Sequence, residues 1–97
     1  MNFQPRDFRI PARALNDLAM NLMRQDKPDE ALEIYRTVMS DYKEKDMLVT
    51  VMLGAGRIYA SKGMIEAAID CYERLMKIWP PGAGICERRI AALRKPS

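Results

Sequence analysis

The chain contains no histidine and only two cysteines, Cys71 and Cys86. Without an imidazole no base stands ready to activate a nucleophile, and the three serines, Ser40, Ser61 and Ser97, fall at predicted helix ends or at the terminus. Two thiols fall short of the four ligands of a structural zinc site, so neither a metal nor any other cofactor is expected. Both thiols sit beside or on the apolar stripes of predicted helices, which points to reduced, half-buried side chains rather than a disulfide. Long hydrophobic runs are missing as well. The longest, from Met47 to Gly56, is interrupted by Thr50 and stops at Arg57, about half of what a membrane-spanning helix needs. Arg6, Asp7 and Arg9 have no apolar stretch behind them, so neither a secretory signal nor a transit helix is visible and a cytoplasmic location is expected. Glycine is scarce, and Gly54 and Gly56 lie inside a helical pattern without the lysine and hydroxyl that a phosphate loop requires. Carboxylate pairs such as Asp29 with Glu33 or Asp70 with Glu73 lie on outward helix faces, where solvation accounts for them. No residue set supports catalysis, so the chain reads as a non-enzyme.

What is present is a chain of 97 residues with 48% hydrophobic side chains. That is one domain with a modest core, burying roughly two-thirds of the unfolded surface. Arg88, Arg89, Arg94 and Lys95 against Glu87 account for the whole formal charge of +3, so the basicity belongs to the tail. Nucleic-acid binders spread their cations over a whole face with aromatics between them, and no such stripe is seen.

Residues 1–11, with Phe3, Phe8 and Ile10 among prolines and charges, read either as an extended arm packed against something or as a disordered terminus. Leu15, Leu18, Ala19 and Leu22 recur at helical spacing between Ala12 and Arg24 and predict a buried face there. Pro28, Asp29 and Glu30 suit the first turn of a second helix that buries Ala31, Leu32, Tyr35, Val38 and Met39 and ends near Tyr42. A third helix is predicted from about Asp46 to Ser61 and closed by Gly63, and a fourth from about Ile65 to Ile78, where Pro80 and Pro81 forbid continuation. After a turn at Gly82, Ala83 and Gly84, a fifth helix over 85–95 presents Cys86, Ile90 and Leu93 on one side.

Gly56, Tyr59, Ala68 and Tyr72 each stand 37 positions after Ala19, Leu22, Ala31 and Tyr35, so the first two hairpins are copies of one unit. Within the second copy, Met52, Ala55, Gly56, Tyr59, Ala68, Tyr72 and Pro80 follow a spacing that resembles the tetratricopeptide repeat. The family's usual unit is 34 residues, and the polar run Asp41 to Asp46 is the expected place for the extra three. The resemblance implies an all-α superhelix of two helical hairpins, units 12–45 and 49–82, with the helix 85–95 covering the exposed end. Gly56 is read as the point of close approach, with Ala68 facing it and Tyr59 and Tyr72 on either side. Two units are fewer than the three usually needed for stability, so the cap, the arm or self-association into a homodimer must supply the rest.

By the same resemblance the function is protein–protein interaction: the first helices of successive units line a concave groove that holds a peptide or amphipathic helix of another protein. The groove residues are then Arg13, Asn16, Asp17, Met20, Met23 and Arg24 on the first helix and Thr50, Leu53, Gly54, Arg57 and Ser61 on the third. Gly54 and Ser61 are expected to leave room for the bound segment, so alanine should be harmless at Gly54. Met20 and Met23 offer adaptable apolar contact, while Arg24 and Arg57 suit acidic residues of a partner. Alternatively Asp17 pairs with Arg57 and both are simply solvated. The chaperone-binding subgroup of the family uses inner-surface lysines and asparagines; only Asn16 stands at such a place here, with Met20 and Gly54 replacing asparagines. Two further readings are a small secretion-type chaperone that shields an apolar helix of a client, and a nucleic-acid adaptor acting through Arg88 to Lys95.

Overall fold

The computed structural model describes residues 10–95. Every regular element among them is helical: α1 (Ala12–Arg24), α2 (Pro28–Asp41), α3 (Lys45–Ser61), α4 (Ile65–Ile78) and α5 (Ala83–Arg94), with a 3-10 turn at Pro80–Gly82 before the last. Of the expected arm only Ile10 and Pro11 are described; residues 1–9, with Phe3 and Phe8, lie outside the described residues. The Tyr42 hydroxyl donates to the Ile10 carbonyl, fixing the entry to α1 beside the end of α2.

The duplication seen in the side chains also governs the backbone. Lys27 N–H donates to the Leu22 carbonyl at 2.9 Å, and 37 residues on Met64 N–H donates to Tyr59 at 2.9 Å. Both bonds close a helix end through a left-handed residue, Asp26 at φ 60° in the first hairpin and Gly63 at φ 76° in the second. The same offset relates Tyr42 N–H to the Val38 carbonyl and Trp79 N–H to the Leu75 carbonyl. Proline at the start of α2, followed by Asp29 and Glu30, suits the positive end of that helix.

The extra residues of the unit are helical rather than looped. α3 has 17 residues where α1 has 13, because α3 starts at Lys45, one turn ahead of the position equivalent to Ala12. The corresponding turn before α1 is closed to a helix by Pro11, whose ring restricts the residue ahead of it. α5 likewise begins two residues earlier than the spacing predicts. The Trp79 ring lies across Gly82 so closely that a Cβ there would sit 2.0 Å from Cε3, so Gly82 is buried beneath the indole and the chain turns into a helix without a glycine loop.

Two apolar clusters result. One joins Ala12 and Ala19 of α1 and Ala31, Leu32, Tyr35 and Val38 of α2 to Val51, Ala55 and Ile58 of α3. The other joins Met52 of α3 and Ala68, Ile69, Tyr72 and Leu75 of α4 to Cys86 and Ile90 of α5. Val38, Val51 and Leu75 are completely buried, each worth about 1.5–3 kcal/mol of transfer free energy. Cys71 and Cys86 are fully buried free thiols, not half-buried ones, and burial pushes both above their ordinary 9.0. The face of α1 also differs from its expectation. Leu18 is 49% exposed, and Ala12, Asn16 and Ala19 are the residues turned inward.

Candidate functional site

The residues expected to line a groove fall into two groups. Arg13, Asp17 and Arg24 of α1 and Thr50, Arg57 and Ser61 of α3 are exposed, as are Met20 and Met23 at 42% and 41%. Leu53 is partly buried, packed against the apolar side chains of α4 and α5. α1 and α3 touch directly, so the two sets of expected groove residues stand on neighbouring helices. No ion pair joins Asp17 to Arg57 among the described residues. The pairs found are Lys62–Asp29, Arg74–Asp70 at 3.9 Å and Arg94–Glu73 at 3.7 Å, none of which involves these residues. Arg13, Arg24 and Arg57 therefore stand without a carboxylate partner among the described residues. The Thr50 hydroxyl donates to the Asp46 carbonyl at 3.2 Å and the Ser61 hydroxyl to Ile58 at 2.8 Å, so both donors are turned back onto their own helix.

Two residues depart from the expected arrangement. Gly54 is not an open floor: a Cβ there would lie 2.9 Å from Cε2 and 3.1 Å from the hydroxyl of Tyr35, which crosses from α2 to rest on bare α3 backbone. The reason lies in the stacking, since α3 has α2 on the side where α1 has no helix among the described residues. Asn16 is only 7% exposed. Its amide donates weakly to the Met20 sulfur at 3.7 Å, and its Oδ1 is buried without a hydrogen-bond partner among the described residues. Asn16 thus lies beneath Met20 rather than beside it. Sequence reasoning passed over Tyr35 as a core aromatic only. Its phenol reaches the edge of the expected groove: burial raises its pKa above the ordinary 10.0, and the Arg57 guanidinium pulls in the opposite direction.

Gly56 is a point of close approach, with the Tyr72 ring nearest, at 2.7 Å from the would-be Cβ. The same tyrosine carries Arg89 of α5 over its face at 5.9 Å. α5 therefore stands on α4 as α3 stands on α2. Its buried Cys86, Ile90 and partly buried Leu93 follow Val51, Ala55 and Ile58 by 35 positions each, and Arg89 meets Tyr72 where Gly54 meets Tyr35. Ile85, Arg88 and Ala92 are consequently exposed at the places equivalent to Thr50, Leu53 and Arg57. The rotation of α5 follows the periodicity that set Cys86, Ile90 and Leu93 on one side, whereas the seating of Arg89 over Tyr72 depends on a residue of another helix and has no signal in the sequence of α5.

Open clefts lie elsewhere. A cleft between α2 and α4 has Tyr59 among its walls and is rimmed by Glu33, Arg36, Asp70 and Arg74. Another between α4 and α5 has Met76, Ile90 and Ala91 among its walls, with Glu73 and Arg94 at its rim. No group of metal-ligating side chains is found among the described residues, and no helix among them is long and apolar enough to cross a membrane.

A family model for the tetratricopeptide repeat matches residues 11–80. Comparison with curated proteins and with solved structures finds no match. The matched span begins at the residue preceding α1 and closes at the proline after α4, taking in both copies of the duplicated hairpin. The chain belongs to the tetratricopeptide repeat family, whose non-catalytic repeats generally mediate protein–protein interaction.

Proposed function

We propose that this protein is an interaction scaffold that holds an acidic, amphipathic segment of a partner protein against the face formed by α1, α3 and α5. The observation that carries the reading is the charge of that face. Arg13, Arg24, Arg57 and Arg88 are exposed on it and none is paired with a carboxylate among the described residues, whereas Asp17 is the one acid among the expected groove residues. Unpaired guanidiniums offer a two-pronged hydrogen bond to carboxylates of a ligand. Met20, Met23 and Ile85 supply exposed apolar surface beside them, and Met20 can swing aside at little cost because its thioether stem is unbranched. The ligand would then reach Asn16, whose buried Oδ1 still lacks a donor. The tail fits this scaffold better than a nucleic-acid site, since Arg89 lies over Tyr72 and Arg94 pairs with Glu73.

Arg57→Glu is the discriminating variant. It should leave the melt unchanged and weaken a partner recovered by the immobilised chain by about 1–3 kcal/mol, through lost attraction and added repulsion. Arg36→Glu, on the cleft between α2 and α4, serves as the control. A partner that binds the Arg57 variant as tightly as the parent at low salt, and is lost with the Arg36 variant, would place the interaction on the opposite side.

A further inference from the structure

α1 carries a strip that nothing among the described residues covers. In α3 the residues Val51, Ala55 and Ile58 are buried against the first hairpin, at exposures of 0%, 0% and 2%. Their equivalents 37 positions earlier are Ala14, Leu18 and Asn21, and all three are exposed. Ile10 and Pro11 extend the strip at one end and Gln25 at the other, both ends exposed as well. The strip contains no charge, in a chain of which 30% of residues are charged. Arg13, Asp17 and Arg24 all lie roughly 100° or more around the helix from Leu18.

The strip is also self-complementary. Leu18 is the midpoint of α1, which runs from Ala12 to Arg24. If two copies meet antiparallel about a twofold axis at Leu18, the leucines face each other. Ala14 of one copy then lies opposite Leu22 of the other, Leu15 opposite Asn21, and Pro11 opposite Gln25. Each alanine meets a leucine, each half-buried Leu15 meets the uncharged amide of Asn21, and no like charges are brought together. This is what an isologous interface requires, whereas α5 gives the opposite end of the molecule a polar, charged outer side that would not match the strip head to tail.

We infer that α1 is a homodimerisation seam, in which the second copy takes the place against α1 that α2 takes against α3. The inference stands apart from the proposed ligand face, because the charged residues of that face point away from the seam. A helix of this length is about 20 Å long, so the pairing covers only a small area, on the order of 400 Å² per copy, and belongs to the weak, reversible class. Dimers should therefore appear at roughly 10–100 µM and be absent well below it.

Sedimentation equilibrium of the full chain from about 5 to 500 µM tests this, with circular dichroism as the check on folding. The parent should pass from monomer to dimer over that range, while Leu18→Glu, at a half-exposed site, should keep its helicity and remain monomeric. Leu18→Cys should form a disulfide-linked dimer under dissolved oxygen, the two new thiols lying at the axis, whereas Asp17→Cys one residue away should not; Cys71 and Cys86 are buried and do not compete. Should Leu18→Glu fail to fold, Leu18→Gln and the cysteine pair decide the matter alone. A parent that is monomeric at 500 µM overturns the inference and leaves the strip for a helix of a different protein. A dimer that survives Leu18→Glu or Leu18→Gln overturns it too, and would direct attention to the cleft between α4 and α5.

Discussion

Alanine at Gly54 and Gly56 tests the packing against the expectation drawn from helix propensity. Both glycines lie inside α3, where replacing glycine by alanine is worth about 0.5–1 kcal/mol in favour of the helix. Each new Cβ meets a tyrosine ring: at Gly54 the nearest atoms are at 2.9, 3.0 and 3.1 Å, and at Gly56 at 2.7, 2.8 and 3.1 Å. Carbon atoms separate to about 3.5–4.0 Å at rest, so each ring must move by most of an ångström. The Tyr35 ring reaches Gly54 with its far end, beside the exposed Arg57, and has some freedom to tilt. Tyr72 is 2% exposed, covered by Arg89 and tied into the cluster with Leu75, so its displacement disturbs α4 and α5 together. Overpacking of this kind costs about 1–3 kcal/mol. After the propensity gain, Gly56→Ala should destabilise by roughly 1–2 kcal/mol and Gly54→Ala by less than about 1 kcal/mol. In a domain of this size that is a fall in Tm of about 5–15 °C and of a few degrees respectively. Urea titrations of both variants, alone and with Tyr35→Leu or Tyr72→Leu, read the coupling directly. A rise in Tm for Gly54→Ala in the tyrosine background would refute the seating of Tyr35, and equal losses at both glycines would refute the difference between the rings.

Asp26 adopts the left-handed conformation that Gly63 adopts in the second hairpin, so Asp26→Gly should stabilise by about 0.5–1 kcal/mol in a thermal melt and Gly63→Ala should destabilise by about 1 kcal/mol. Truncation after Pro81 removes Cys86, Ile90 and Arg89 and uncovers Tyr72 and Leu75; the shortened chain should aggregate or lose its cooperative transition, and an unchanged melt would show α5 to be dispensable. Cys71 and Cys86 have pKa values raised by burial, so their contribution is fully present below the ordinary thiol value of 9.0 and is lost as the pH rises through the higher folded values. Urea midpoints should therefore fall above about pH 9. Neither thiol should react with a disulfide reagent at pH 8 except at the rate of unfolding.

The hairpins were legible because each carries its small and large residues at the same offset, and a shared offset is independent of any estimate of hydrophobicity. Leu18 was not, because periodicity places the most apolar residues inward and is blind to which neighbours exist. Its equivalent, Ala55, has α2 beside it; Leu18 has no such helix among the described residues. Gly54 was misread for the converse reason: it lies two positions from Gly56, on what a helical wheel gives as the outer side, yet Tyr35 reaches around to it from another helix. Asn16 is polar and was placed outside, although its position is the one that Leu53 holds in the second unit. The short α1 followed from Pro11, ahead of which a helix cannot extend, whereas no proline precedes α3 to stop its extra turn.

α3 belongs to both apolar clusters, giving Val51, Ala55 and Ile58 to one and Met52 to the other. Neither hairpin can open fully without stripping one side of this helix, so the two halves share a single thermodynamic hinge rather than two separate stabilities. α1, by contrast, has neighbours on one side only among the described residues. Amide exchange should accordingly descend from α3 and α4 outward, with α1 exchanging through small openings that leave the rest intact. Exposed arginines on α1 would then ride on the most mobile helix of the scaffold, while Arg57 rides on the stiffest. A ligand bridging the two would register as slowed exchange in α1 before any change elsewhere, making the loosest helix the most sensitive reporter of occupancy.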